Sequence, residues 1–243
     1  LEENPDAVHL KDAEGRTALD WATARAQLDS MRLLIERGSD VNTMDASGRT
    51  TIQHAVDSHS EAALQLVLDA GADPNPPMLG SLRRSSPLTS ASFGGLKTMA
   101  RMLLHSGARV DTCNPEGRTA IHTAISYNKY DILQLFAEES LGDVNCGASQ
   151  LLAVVARHAD EQTMSILASS RHLLNMLGVS HDDPNRKAME DRNGGEKLEI
   201  AFEQLLTARD DIQSRQICPA HGGFQHSFNQ QGLWDASEDA GFE

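Results

Sequence analysis

Gly15-Arg16-Thr17-Ala18-Leu19-Asp20-Trp21-Ala22 returns as Gly48-Arg49-Thr50-Thr51-Ile52-Gln53-His54-Ala55, and again as Gly117-Arg118-Thr119-Ala120-Ile121-His122-Thr123-Ala124. A shorter copy, Ser86-Pro87-Leu88-Thr89-Ser90-Ala91, lies before the last of these. Counted from Thr17, Thr50, Ser86 and Thr119, the copies stand 33, 36 and 33 residues apart. A fixed period of this length marks stacked supersecondary units, none of which buries its apolar face alone. The pattern predicts a solenoid, with function on an extended surface and not in a pocket.

Each copy carries the same local logic. A turn with Gly15, Gly48 or Gly117 leads in, where a residue free to take positive φ is useful. Thr17, Thr50, Ser86 or Thr119 follows as a hydroxyl placed to cap a first helix. Small residues such as Ala22, Ala55, Ala91 and Ala124 then let neighbouring units approach closely. A second helix has apolar residues at helical spacing: Met31, Leu33, Leu34 and Ile35, then Leu64, Leu66, Val67 and Leu68, then Met99, Met102, Leu103 and Leu104, then Ile132, Leu133, Leu135 and Phe136. Gly38, Gly71 and Gly107 end three of these helices, as left-handed C-terminal turns prefer.

These residues resemble the ankyrin repeat: a β-turn finger, a helix start of the T-P-L-H type, two antiparallel helices and a G-A-D-V-N exit. The resemblance covers roughly residues 1–178. It implies an all-α, ankyrin-type α-solenoid of paired antiparallel helices with β-turn fingers. Only Pro87 keeps the proline of the helix start, and only His122 keeps its histidine. Asp20, Gln53 and Thr89 stand in the histidine's place, which predicts weaker hydrogen bonding between adjacent turns.

The expected organisation is a remnant of a preceding repeat at 1–11, then repeats at about 12–44, 45–77, 78–113 and 114–146, and a degenerate unit at 147–178. A linker is expected at 179–195, where Pro184 and Gly194-Gly195 interrupt a polar run. Leu198, Ala201, Phe202, Leu205, Ala208 and Ile212 form one stripe of a C-terminal helix at 196–213, either a cap on the stack or a partner-binding helix. Residues 214–243 are expected to be an acidic disordered tail.

Composition narrows the function. The net charge of −14 argues against general nucleic-acid binding. No apolar run is long enough to span a membrane. Three scattered cysteines, Cys113, Cys146 and Cys218, favour a reducing, intracellular compartment, cytoplasmic or nuclear. Starting at Leu1, partway through a repeat, the chain reads as a fragment. No phosphate loop, metalloprotease pair or nucleophile elbow appears, so no enzyme activity, cofactor or catalytic residue is expected. Cys218, His221 and His226 make at most half a metal site, and no metal is expected.

The resemblance implies a monomeric, non-catalytic module that binds other proteins with its fingers and first helices, the concave side of the stack. The positions where such surfaces vary hold Ala13, Glu14, Arg16, Arg25, Met44, Ala46, Ser47, Arg49, Asp57, Ser58, Met78, Leu79, Leu82, Arg83, Arg84, Glu116, Arg118 and Tyr127. The alternative is a regulatory or scaffolding arm of a larger multidomain enzyme or nucleotide-dependent switch with its active part upstream. Trp21 is open to either packing or surface contact, and Arg16, Arg49 and Arg118 to either a charge ladder or plain solvation. Between Asp73 and Asp111 no acid occurs, while Arg83, Arg84, Lys97, Arg101 and Arg109 do, beside the one extended finger. Ser85 and Ser86 follow two arginines and precede Pro87, a possible phosphorylation pattern. His122 is expected to serve the helix start structurally.

Overall fold

The computed structural model describes residues 5–77, 85–114, 116–139, 148–177, 184–190 and 195–217. A 3-10 turn, Pro5–His9, precedes four helix pairs: α1 (Ala18–Ala24) with α2 (Leu28–Glu36), α3 (Thr51–Asp57) with α4 (Glu61–Asp69), α5 (Pro87–Gly94) with α6 (Lys97–His105), and α7 (Ala120–Ser126) with α8 (Tyr130–Glu138). Helices α9 (Ala148–His158) and α10 (Glu161–Ser169) make a fifth pair, followed by α11 (Arg171–Met176), α12 (Pro184–Glu190) and α13 (Gly195–Ile217). No named strand occurs among the described residues; single bridges Lys11–Thr17 and Met44–Thr50 close the first two fingers.

Two rows of helices stack side by side. In one row α1, α3, α5, α7 and α9 are successive neighbours, and in the other α2, α4, α6, α8 and α10. The core repeats with the sequence. Leu19, Ile52, Leu88 and Ile121 occupy one equivalent position, and Ala22, Ala55, Ala91 and Ala124 another, all buried. Leu34, Val67, Leu103 and Phe136 form the matching row on the second helices. The turn between the two helices of a unit uses the left-handed region each time, at Ala26, His59, Gly95 and Asn128. Three of these are not glycine, so packing of the pair holds a conformation costing about 1–2 kcal/mol for an ordinary residue.

First-helix starts are capped reciprocally. Thr17 Oγ1 accepts from the Asp20 amide while Asp20 Oδ2 accepts from the Thr17 amide at 2.9 Å. The Gln53 and His122 side chains likewise accept from the Thr50 and Thr119 amides at 3.3 Å, and Ser86 caps through the Thr89 amide. The expected weakening between turns does not hold at the first two replacements. Asp20 Oδ1 accepts from the Thr51 hydroxyl of the next unit at 2.7 Å, and Gln53 Nε2 donates to the Ser85 carbonyl at 2.8 Å. A carboxylate accepts and an amide donates, so each restores a bond between units with different chemistry.

The unit exits are joined by asparagines. Asn42 accepts from the Asp73 amide at 2.8 Å and donates to the Gly71 carbonyl at 3.2 Å. Asn75 does the same with Arg109 at 2.7 Å and Gly107 at 2.9 Å.

Beyond the fifth pair, the 179–195 linker expectation is corrected: it contains α12. That helix packs on α9, and α13 packs on α10 and α11, so the two continue both rows past the fifth unit. Met189 supplies the buried contact of α12, with Ala188 packed beside it, in a polar run too short to show a period. Leu198, Phe202, Leu205 and Leu206 bury the stack-facing side of α13, which runs on to Ile217. Residues 218–243 lie outside the described residues, as does the expected shortened finger of the fifth unit.

Two glycines separate conformational from steric demand. A Cβ at Gly71 (φ +87°) meets nothing, whereas one at Gly15 (φ +74°) would sit 2.8 Å from the Ala46 backbone nitrogen of the next finger. Gly71→Ala should therefore cost about 1–2 kcal/mol by backbone strain alone. Gly15→Ala should cost more, because it also drives the fingers apart. Urea denaturation of both variants checks the order; equal losses would show that the finger gives way freely.

Candidate interaction face

The register of the first helices determines what they present. The cap at Thr17, Thr50, Ser86 or Thr119 turns the second, third and fifth following residues into the stack. The seventh and eighth lie towards one open face, Ala24 and Arg25 in the first unit and Phe93 and Tyr127 in the third and fourth; the fourth reaches it as Trp21 in the first unit but is buried as His54 and Thr123 in the second and fourth. Trp21 is 37% exposed, Phe93 56% and Tyr127 51%. Phe93 and Tyr127 meet edge to face, ring centres 4.9 Å apart. By contrast Phe136 and Phe202 are fully buried.

At the other end Trp21 carries two guanidinium groups, Arg16 at 4.8 Å and Arg25 at 5.1 Å from the ring centre. Its indole N–H donates to Asp12 Oδ2 at 2.7 Å, and that bond is the main cause holding the Asp12 carboxyl below its ordinary pKa. A cleft of about 230 Å³ opens beside it, lined by Arg16, Asp20, Trp21, Ala24, Arg49, His54, Asp57 and Ser58. Beneath lies the buried Asp45 carboxylate, whose Oδ1 accepts from the Arg49 amide at 2.8 Å. Its Oδ2 stands 3.4 Å from His54 Nε2 and 3.5 Å from Arg49 Nε, so three buried polar atoms without a conventional hydrogen bond face one another. Burial pushes the pKa of His54 down, with Arg49 acting in the same direction against Asp20, Asp45 and Asp57. Burial also lowers that of His122, whose Nδ1 lies 2.9 Å from Thr119 Oγ1 and accepts from the Thr119 amide at 3.3 Å. Both shifts favour the neutral ring.

Among the described residues no group of three or more histidines, cysteines or carboxylates is placed to hold a metal ion, and no helix is long and apolar enough to cross a membrane. What the open face offers is aromatic area, arginine and a stack of fingers.

Residues 1–78 match the profile of Ankyrin repeats (3 copies), and residues 88–137 that of Ankyrin repeats (many copies). The chain belongs to the ankyrin-repeat family. Ankyrin repeats are in general protein–protein interaction modules. No curated protein matches the chain significantly.

In this ankyrin stack the residues expected to meet a partner have several fates. Ala13, Glu14, Arg25, Ala46, Ser47, Asp57, Glu116, Arg118 and Tyr127 are exposed, and Arg16, Met44, Arg49 and Ser58 half-buried. Met78, Leu79, Leu82, Arg83 and Arg84 lie outside the described residues. The three equivalent arginines share no single role. Arg16 stacks on Trp21, Arg49 lies between Asp45 and Asp57, and Arg118 sits 3.9 Å from Glu116. The acid-free third repeat is less basic than its sequence: Arg101 reaches Glu138 at the end of α8 and Glu139 just after it, and Arg109 forms a two-point pair with Asp111. Ser85 is half-buried with its carbonyl engaged by Gln53, and Ser86 is 5% exposed as an N-cap, so modifying Ser86 requires opening the first turn of α5.

Phe93 was missing from the expected contacts. It stands seven residues after Ser86, as Asp57 stands seven after Thr50, so the offset that selected Asp57 also reaches it. Trp21 was left between packing and surface; it does both.

The depressed histidines give a pH dependence of defined sign. An unfolded histidine takes a proton near pH 6.5, and the folded His54 and His122 do so only at lower pH. Their neutral state therefore protects the fold above about pH 6.5, and stability is lost as pH falls from there towards their folded pKa values. Urea melts between pH 7.5 and 5 should show this decline. The His54→Gln/His122→Gln variant should flatten it, Gln53 showing that glutamine serves as a cap at the position equivalent to His122. An unaltered slope in that variant would assign the decline to other groups.

Proposed function

We propose that this ankyrin stack is a non-catalytic module that takes a partner protein across its first-helix face, with Trp21, Phe93 and Tyr127 as anchors. One observation carries the reading: these three aromatic side chains are exposed, and all three lie on first helices or their C-caps at positions that face one way. Leaving large aromatic surface in water costs about 25 cal/mol per Å² that a partner would recover, and such residues dominate interface energetics when covered. Arg16 and Arg25, held against the indole, add pre-ordered donors at the edge of the same surface. The fingers supply register, and the paired helices keep the face rigid, which lowers the entropy cost of association.

The reading is tested with Phe93→Ser/Tyr127→Ser in the full chain. Affinity capture from native extracts, quantified by mass spectrometry, should show proteins retained by the parent chain and reduced tenfold or more by the double variant. Thermal midpoints should agree within a few degrees, because neither side chain is in the core. Retention of the same proteins by both chains would exclude these aromatics from the interface.

A further inference from the structure

The Phe93–Tyr127 end of the face differs electrostatically from the Trp21 end. Gly95 adopts a left-handed conformation, φ +69°, directly after α5. Because it has no side chain, the aliphatic stem of Lys129 lies across it, Cδ 3.5 Å and Nζ 3.7 Å from where a Cβ would be. Lys129 is the second residue after Tyr127, and Lys97 the second after Gly95. Neither lysine has a carboxylate within ion-pair distance among the described residues, whereas Arg101 and Arg109 of the third unit do. The patch thus joins an exposed aromatic pair to the Lys129 side chain, which has no ion-pair partner among the described residues, in a chain whose net charge is −14.

The complementary chemistry exists in the same sequence. Residues 218–243 contain Asp235, Glu238, Asp239 and Glu243 and no lysine or arginine. They also contain Phe224, Phe228, Trp234 and Phe242, four of the ten aromatic residues of a chain that is only 4% aromatic. Carboxylates and aromatic rings alternate most closely in Leu233-Trp234-Asp235 and Glu238-Asp239-Ala240-Gly241-Phe242-Glu243. The segment follows α13, which packs on α10 and α11 at the end of the stack nearest the fourth repeat. At about 8–10 Å between neighbouring helices, α7 and α5 lie only one and two steps from α9. The sixteen residues 218–233 span at most about 3.3–3.6 Å each, so length does not limit the contact.

We propose that the segment Leu233–Glu243 of the same chain docks on the Phe93–Tyr127–Lys129 patch, Trp234 or Phe242 against the ring pair and the carboxylates towards Lys129 and Lys97. This rests on the first-helix face being the interaction face, and makes the segment a competitor for the partner bound there. Intramolecular linkage gives even a weak contact a high effective concentration, and the charge contribution makes it salt-sensitive.

The test uses the full chain with Phe93→p-benzoylphenylalanine, and separately Tyr127→p-benzoylphenylalanine, irradiated at low protein concentration and mapped by mass spectrometry. Crosslinks within the monomer to residues 233–243 are expected. They should fall at least fivefold in Trp234→Ala/Phe242→Ala, and again between 50 and 500 mM salt. Absence of such crosslinks from both positions, crosslinks that appear only as dimers, or indifference to the Trp234 and Phe242 changes would each overturn the proposal. Partner capture by the parent chain and by Phe93→Ser/Tyr127→Ser separates the two ideas. Capture that depends on the aromatics without tail crosslinking removes the tail alone; crosslinking with capture indifferent to the aromatics removes the partner reading and keeps the tail.

Discussion

The third residue of each first helix carries this structure. It closes the cap of its own helix and, in the first two units, also bonds the next one. Asp20 is completely buried, yet its carboxylate is satisfied by the Thr17 amide, the Thr17 hydroxyl and the Thr51 hydroxyl. Gln53 reaches the same end with its amide, holding the Thr50 start and the Ser85 carbonyl. Most buried polar groups make their hydrogen bonds within the fold. Here the bonds are made only when two units stand in one register, so local capping and long-range stacking become a single condition.

That register has consequences for the surface. With the cap fixed, the residues that turn inward along a first helix are fixed too, and those left outside form one row across all units. Leu19, Ile52, Leu88 and Ile121 disappear into the core, while Trp21, Phe93 and Tyr127 face the solvent. The asparagines at the exits do for the opposite edge of each unit what the capping residues do for the helix starts: Asn42 and Asn75 each hold a donor and an acceptor of the next unit. Regular bonding at both edges leaves the open face free to vary. Its two ends accordingly differ, an arginine-clad indole over buried carboxylates at one and a ring pair near Lys129 at the other.

The C-terminal end shows how a stack is closed. The α9–α10 pair would leave two apolar helix faces in water; α12 covers α9 and α13 covers α10 and α11. The match is unequal. Helix α13 brings a full apolar stripe, with Phe202 and Leu205 buried, and α12 brings chiefly Met189. A terminal unit has only one neighbour to satisfy, so its consensus relaxes, and the stretch holding α12 looks like a connector when read alone.

The sequence by itself determined the repeat, its period, the caps, the core rows and the α13 stripe, because each is a local pattern whose physics acts within a few residues. It also determined most of the open face by simple offset, Phe93 included once the count from Ser86 is made. Three things were decided only by tertiary structure. Asp20 and Gln53 looked like losses of a bonding histidine, until the Thr51 hydroxyl and Ser85 carbonyl of the next unit appeared opposite them. Arg101 looked like part of a basic island, until the end of α8 placed Glu138 and Glu139 beside it. A polar run looked like a linker, until the exposed side of α9 gave it something to cover. In each case the deciding partner lies about 30 residues or more away in sequence, a distance at which composition and periodicity are silent and only packing assigns the neighbour.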